Sequence, residues 1–444
     1  MPGKPDYRRK KGRKPNNKRK PQKSPIIGKS VELQLIDMAH GGSAIGRHEG
    51  KMVFVPYTIP GEEITVKITG DSGKVLFGQG EQLLAASGDR VTPVCIHFGQ
   101  GRCWSCHWQH INYETQLLLK QDVLADQLSR LGDVSDSMIE SAMRPVAPSQ
   151  EQWEYNFRMT LARSKDGEWG YLRQNGWDVE PLTECHIVHP ELLELFEELD
   201  LDYERAKRMT LQRGTDGQMM IIFEIDEEEE PDLTTDLAVS VNLILPDNEP
   251  INLIGDAYST FHIGGRDFRV TAGGYIRPNI GQIEFLMIEV MKRLKLTGKE
   301  RVLDLYAGVG IYSAFIAPRA ELVTLVDSYP PAVTDADVNL MDFDNIDVIE
   351  GQVEQVLEDM LDEEAEYDIA LVDPPTSGLD KDVVKYLKQM GIKRVVYVSG
   401  DPASLARDSK LLISAGYPLV DIQPMDLSPQ TYYIDSVALF ERGY

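Results

Sequence analysis

Apolar and polar positions change their rhythm three times along the 444-residue chain. Between Val31 and Val91, alternations of period two are broken by glycine. Val31–Leu35, Met52–Val55, Ile64–Ile68 and Val75–Glu81 read as strands, with Gly41-Gly42, Gly50, Pro60-Gly61 and Ser72-Gly73 as turns. Four or five short strands in about sixty residues fit a small β-barrel of the oligonucleotide-binding type, or an SH3-like barrel with no nucleic-acid role. Leu117, Leu124, Leu128 and Leu131 then recur at helical spacing and stop at Gly132, a candidate left-handed residue just past the helix end. Residues 153–270 read as mixed α+β, with the acidic run Asp226–Asp232 as a solvated loop.

The last 160 residues alternate strand and helix. Val302–Tyr306, Leu322–Asp327, Ile346–Glu350, Ile369–Asp373 and Arg394–Ser399 are short apolar runs ending at polar or glycine positions, as in a doubly wound parallel sheet. Leu419–Gln423 and Ser436–Glu441 suggest a terminal hairpin. The expected fold is multidomain: a disordered tail over 1–24, an OB-like barrel over 25–91, an α+β domain over 92–272 and an α/β Rossmann-like domain over 273–444.

Composition narrows the class. With 42% apolar and 26% charged residues the chain reads as soluble and globular, and no run reaches the ~18 apolar residues of a membrane helix. The N-terminus lacks the apolar core of a secretory signal, and four cysteines are too few for a disulfide scaffold, so a cytoplasmic protein is expected. The net charge of −25 is unevenly placed: eleven Lys and Arg against Asp6 give residues 1–24 a charge of +10, leaving −35 for residues 25–444. Such a tail suits a polyanion such as RNA or serves as a solubility arm.

Three motifs carry chemistry. The first strand of the Rossmann-like domain runs into Asp304-Leu305-Tyr306-Ala307-Gly308-Val309-Gly310, a glycine turn that lets a ligand approach the backbone ahead of a helix. Asp327 closes the second strand, where a carboxylate accepts from both hydroxyls of a ribose. Ser313 stands where a dinucleotide site needs a third glycine, which favours S-adenosylmethionine over NAD. Asp373-Pro374-Pro375 ends the fourth strand beside the same crevice. Cys95, Cys103, Cys106 and Cys185 form the third motif, a thiol set that fits zinc or an iron–sulfur cluster by spacing alone.

Together these residues resemble the RNA uracil-C5 methyltransferases built from a TRAM domain, an iron–sulfur domain and a class I methyltransferase domain. The resemblance rests on Phe54-Val55-Pro56 with Pro60-Gly61, Cys103-x-x-Cys106 with Gln109-His110, the Gln116–Lys120 helix, Tyr155-Asn156-Phe157-Arg158 and Cys185. Asp304–Gly310, Asp373-Pro374-Pro375 and Pro424-x-Asp426 complete it. It implies that the four cysteines hold a [4Fe–4S] cluster and that Tyr306, Ile311, Asp327, Gln352 and Asp373 bind S-adenosylmethionine alongside Gly308 and Gly310. The RNA partner would be rRNA or tRNA.

The departures from that family fall at the chemistry. Its nucleophilic cysteine, in Ser-Cys-Asn-Pro, is replaced in Ser399-Gly400-Asp401-Pro402; its glutamate base aligns with Asp435. An arginine after the double proline is Thr376, and the glutamine of the substrate and cofactor loop aligns with Arg277. Uracil C5 attacks a methyl group only after a thiolate has added at C6, and glycine supplies no electron pair. The sequence therefore predicts an S-adenosylmethionine-dependent RNA methyltransferase of altered chemistry, with Asp435, or else Asp401, as base for a nitrogen acceptor. The competing reading is a catalytically inactive RNA-binding paralogue on the same scaffold. Deleting residues 1–24 should weaken RNA binding and flatten its dependence on salt, because displaced counterions set that slope. An unchanged slope in a titration of affinity against salt would place the RNA contact elsewhere.

Overall fold

The computed structural model describes residues 24–199, 203, 205–226 and 234–443; the basic tail up to Lys23 and residues 227–232 of the acidic run lie outside the described residues. Five strands, β1 (Ser30–Met38), β2 (Ala44–His48), β3 (Lys51–Val55), β4 (Glu63–Asp71) and β5 (Val75–Ala85), close into a barrel in the order β1-β2-β3-β5-β4. Period-two alternation turns Leu33, Leu35, Val53, Val55, Ile64, Val66 and Ile68 inward and leaves Glu32, Gln34 and Lys67 outside. The strand that the apolar pattern does not mark is β2. Its centre is Gly46, where a Cβ would come within 2.8 Å of the Gln34 carbonyl oxygen.

Helix α1 (Tyr113–Arg130) is capped by Asn112, whose side chain accepts from Thr115 N at 2.8 Å. The left-handed stop expected at Gly132 is not formed: the helix closes at right-handed Leu131, and Gly132 is not among the positive-φ glycines. Its missing side chain serves packing instead, since a Cβ there would lie 2.9 Å from the Ala406 carbonyl oxygen. After α2 (Asp136–Ala142) comes a seven-stranded sheet. Its strands are β6 (Arg158–Arg163), β7 (Trp169–Leu172), β8 (Val179–Pro181), β9 (Ala206–Arg213), β10 (Met219–Ile225), β11 (Val239–Ile244) and β12 (Pro250–Ile254), in the order β12-β11-β10-β9-β6-β7-β8. Helix α3 (Pro190–Glu198) packs Leu192 and Leu195 into the core of this sheet.

Hairpin β13 (Tyr258–Ile263) and β14 (Arg266–Thr271) and helix α4 (Ile280–Leu294) lead into the α/β unit. There β15 (Arg301–Leu305), α5 (Ile311–Ile316), β16 (Leu322–Asp327), α6 (Pro330–Asn339), β17 (Ile346–Glu350), α7 (Val353–Asp362), β18 (Ile369–Val372), α8 (Lys381–Gln389), β19 (Arg394–Ser399), α9 (Pro402–Ala415), β20 (Leu419–Met425) and β21 (Asp435–Glu441) follow in turn. The sheet order is β17-β16-β15-β18-β19-β21-β20, parallel except that β21 runs antiparallel to both neighbours. The chain reverses its winding at β15, so the crevice opens at the carboxyl ends of β15, β16 and β18.

Packing moves the divisions read from the sequence. Hairpin β13–β14, placed before residue 272 in the central stretch, buries Phe261, Ile263, Phe268 and Val270 against Val309, Leu325 and Ala336 of the α/β unit. Helix α1 likewise sends Leu124 and Leu128 into the core formed by Leu405, Leu412, Ala438 and Phe440. Neither segment carries a sequence signal of its partner, because an apolar face does not name what covers it. No helix among the described residues is long and apolar enough to cross a membrane.

The deepest polar contact between these parts is Lys120 of α1, fully buried, with its ammonium 2.6 Å from Asp426 Oδ1 and 3.1 Å from the Ser428 carbonyl. Lys120→Met should lower the urea midpoint by the equivalent of about 3–5 kcal/mol, since Asp426 is left charged and unpaired in the interior. An unchanged midpoint would show that the pair contributes nothing.

Candidate active site

A cavity of about 900 Å³ opens at the carboxyl edge of the α/β sheet. Of the residues expected at the cofactor, Tyr306, Gly308, Ile311, Asp327, Gln352, Asp373 and Arg277 all line it. Gly310 does not: it caps α5 at φ 82°, and a Cβ there would lie 2.7 Å from Leu340 Cδ1. Tyr306 takes a left-handed φ of 62°, strained for a side-chain residue, where β15 turns toward the ligand side. Gly308 at φ 56° has open space where a Cβ would stand, leaving room for a ligand against its backbone. Asp327 is oriented by Gly308 N at 2.8 Å and Tyr329 N at 2.9 Å, one to each oxygen, and its remaining lone pairs are free for two hydroxyls.

Beneath the glycine turn, Asp304 is fully buried and accepts from Ser313 Oγ at 2.7 Å, while its other oxygen has no partner. Burial pushes its carboxyl up to about 7 against that hydrogen bond, and the Asp373 and Asp327 charges add to the rise.

At the opposite end of the cavity, register decides the neighbours. Ser399 pairs with Ser436 across β19 and β21, which brings Gly400 alongside Asp435; a Cβ on Gly400 would be 3.5 Å from Asp435 Oδ1. Arg277 spans the floor. Its two terminal nitrogens hold Asp373 at 2.7 and 2.9 Å, and Nε lies 3.3 Å from Asp435 Oδ1. Burial raises the Asp435 carboxyl above the usual carboxylate range, and Arg277 works against that rise. Asp401 is committed elsewhere: it caps α9 through Ser404 N at 2.7 Å and meets His40 Nε2 of the β1–β2 turn at 3.4 Å. Burial raises its carboxyl, but those hydrogen bonds outweigh burial and hold it at about 2, so it is a poor proton acceptor. Thr376 lines the cavity beside Pro375. Two residues the sequence reading missed complete this end. Tyr312, next to Ile311, places its hydroxyl 3.3 Å from Asp373; His40 lies in a barrel turn with no local signal linking it to residue 401.

The four cysteines come together around a second, much smaller cavity shared with His97, Gln109 and Tyr171, and none is paired in a disulfide. Burial raises all four thiols, Cys185 to about 12, and for Cys95, Cys106 and Cys185 the other thiols add to it. Cys95 N donates to Gln109 Oε1 at 3.2 Å, closing the loop that carries three of the cysteines, and Ile96 N donates to Glu184 Oε1 at 2.7 Å, tying that loop to the Cys185 segment. Among the described residues no three His, Cys, Asp or Glu side chains converge as ligands of a single ion.

Comparisons with known proteins agree with this geometry. The TRAM domain model matches residues 25–79, and the tRNA (Uracil-5-)-methyltransferase model matches residues 256–442. A Streptomyces avermitilis protein described as an uncharacterized RNA methyltransferase is 32% identical, over 94% of this chain and 99% of its own. The 23S rRNA (uracil(1939)-C(5))-methyltransferase RlmD of Shewanella woodyi is also 32% identical, over 96% and 98%. The chain belongs to the RNA uracil-5-methyltransferase family. It is an S-adenosylmethionine-dependent RNA methyltransferase with a TRAM barrel. The crystal structure of the Pyrococcus abyssi tRNA (uracil-54, C5)-methyltransferase with S-adenosyl-L-homocysteine has the same fold, with a TM-score of 0.70 at 22% identity over 92% of this chain and 100% of that one.

The buried carboxyl under the glycine turn makes the methyltransferase domain sensitive to pH. A carboxyl raised from 3.8 to about 7 binds its proton more tightly folded than unfolded, so its contribution to stability is lost as pH rises across that interval. Asp304→Asn removes the ionisation. Its melting temperature relative to the parent should therefore improve between about pH 5 and about pH 8, and a difference independent of pH would refute the assignment.

Proposed function

We propose that this methyltransferase acts on a ring or exocyclic nitrogen of an rRNA or tRNA base, with Asp435 accepting the proton. The observation that carries the reading is Gly400. It stands beside Asp435 at the cavity where the nucleophile of the family would be, and the four cysteines of the chain are gathered around a different cavity. A nitrogen lone pair needs alignment and a base, not a covalent nucleophile. Asp435 has the character for that role, since burial favours its protonated form, and Arg277 engages it through one oxygen only. Asp327 would hold the ribose hydroxyls, Gly308 would face the cofactor through its backbone, and Arg277 would keep Asp373 and Asp435 in fixed positions across the cavity. When bound, S-adenosylmethionine supplies an electrophilic methyl group.

We further infer that Cys95, Cys103, Cys106 and Cys185 hold a [4Fe–4S] cluster. Four free thiols around one cavity fit a polynuclear centre, and thiols that raise one another need a cationic partner to ionise together. Such a centre would add covalent ties between the 95–109 loop and the Cys185 segment, which hydrogen bonds already join where Ile96 N donates to Glu184 Oε1 at 2.7 Å and His97 Nε2 meets Thr183 Oγ1 at 2.9 Å.

Tritiated methyl transfer into total RNA, followed by nucleoside analysis, should yield an N-methylated nucleoside, and RNA containing 5-fluorouracil should form no denaturant-stable adduct. Recovery of 5-methyluridine with a covalent adduct would mean that another side chain has become the nucleophile; binding of the cofactor without transfer would favour the inactive RNA-binding scaffold. Protein prepared without oxygen should be brown and carry about four irons per chain. Stoichiometric zinc would overturn the cluster.

A further inference from the structure

Residues 426–434 join β20 to β21 and lead directly into Asp435. At the centre of this loop Gln430 is buried and held at φ 68°, a left-handed conformation that costs energy for a side-chain residue and persists only when its surroundings impose it. Its surroundings are the cysteine loop and α1. The Gln430 carbonyl accepts from the backbone N–H groups of His107 and Trp108, both at 3.0 Å, immediately after Cys106. Its side chain and backbone pair reciprocally with Gln116: Gln116 Nε2 donates to Gln430 Oε1 at 3.0 Å, and Gln430 N donates to Gln116 Oε1 at 3.0 Å. The Gln116 amide also reaches the Trp108 carbonyl at 3.1 Å and the Ile111 carbonyl at 2.9 Å, so one side chain fastens the cysteine loop, the helix and the loop before Asp435. Tyr155 Oη donates to the Pro429 carbonyl at 2.9 Å from a third direction. Beyond Gln430, the Tyr432 ring lies 4.4 Å from that of His107, centroid to centroid.

We propose that Gln430 is a positioning residue for methyl transfer, through which the cysteine loop sets the place of Asp435. Ordering of Cys103–Trp108 holds the Gln430 carbonyl, and Gln116 holds its amide. Together they fix the loop whose far end enters β21 at Asp435. The cofactor end of the cavity shares none of these contacts, so loss of the latch leaves cofactor affinity intact. The link to catalysis rests on Asp435 acting as the base; the mechanical link to the cysteines does not.

The test compares full-length, metal-loaded protein with Gln430→Ala, Gln430→Gly and Gln116→Ala. Glycine relieves the left-handed backbone but has no amide, so it separates strain from the latch. Backbone hydrogen exchange at 427–434 should rise about tenfold or more in all three variants, while calorimetric S-adenosylmethionine affinity, which also reports folding, stays at the parental value. In the transfer assay kcat should fall about tenfold with the KM for S-adenosylmethionine unchanged, and Gln430→Asn, which keeps an amide and tolerates the conformation, should recover part of it. Chelation of the metal, followed by an iron assay, should raise exchange in the same loop. Parental exchange in Gln430→Gly, or exchange at 427–434 unaffected by metal removal, overturns the proposal. Protein isolated without iron would overturn the cluster alone, and parental protein without transfer activity would overturn both the base assignment and the catalytic role of Gln430, whatever the exchange data show for the loop.

Discussion

Helix α1 leaves the cysteine loop, packs against α9 of the α/β unit, and half-way along it carries a lysine with no access to water. Lys120 and Asp426 lose their hydration together, and the 2.6 Å contact repays that loss only while both are present. Burial lowers the Lys120 ammonium below its ordinary value, and Asp426 and Asp435 work against that fall without cancelling it. The pair therefore makes the placement of α1 all-or-none. An apolar face would tolerate a turn of slippage; a buried charge pair does not. The barrel, the cysteine loop and the methyltransferase sheet keep a common geometry because this helix has one seat.

The second constraint is electrostatic. Asp327, Asp373, Asp401, Asp435, Glu354 and Asp380 line the cavity, and Arg277 is the basic residue on its wall. Such a site favours a cationic sulfonium and repels a phosphate backbone, so RNA must be drawn in by surfaces outside it. The barrel approaches this end closely. Gly42, at φ 81°, would put a Cβ 2.8 Å from Tyr432 Cδ1, and its carbonyl accepts from Trp108 Nε1 at 3.1 Å. A TRAM unit in this position brings its β1–β2 turn to Asp401 and to the mouth of the cavity.

Alternation and punctuation carried much of the architecture. Period-two runs in a closed barrel and apolar runs in a parallel sheet report burial strand by strand, and glycine turns after strands report where backbone and ligand meet. That local code determined the β-barrel, the five parallel strands with their terminal hairpin, a glycine turn after β15 and the carboxylate of Asp327 at the end of β16. The resemblance to the uracil-C5 methyltransferases, rather than this local code, marked Gly400 as the place where a thiolate is absent and Asp435 as the aligned base. The local code was silent on β2, whose central glycine breaks the alternation, and it misread Gly132, because a glycine chosen for close packing looks the same as one chosen for a left-handed turn.

Tertiary structure alone decided what those residues face. In the sequence Asp435 stands first as base only through the family resemblance, with Asp401 second; pairing of β19 with β21 sets Asp435 next to Gly400, while capping of α9 and contact with His40 commit Asp401 elsewhere. Arg277 lies 96 positions from Asp373 and 158 from Asp435, yet it bridges both. The assignment of α1 and of hairpin β13–β14 to the methyltransferase core, and the left-handed Gln430 beneath the cysteine loop, are equally invisible along the chain. A residue's own conformational preference is local and can be read in sequence. The charge, carbonyl or apolar face that completes it arrives from hundreds of residues away, and only the fold brings it there.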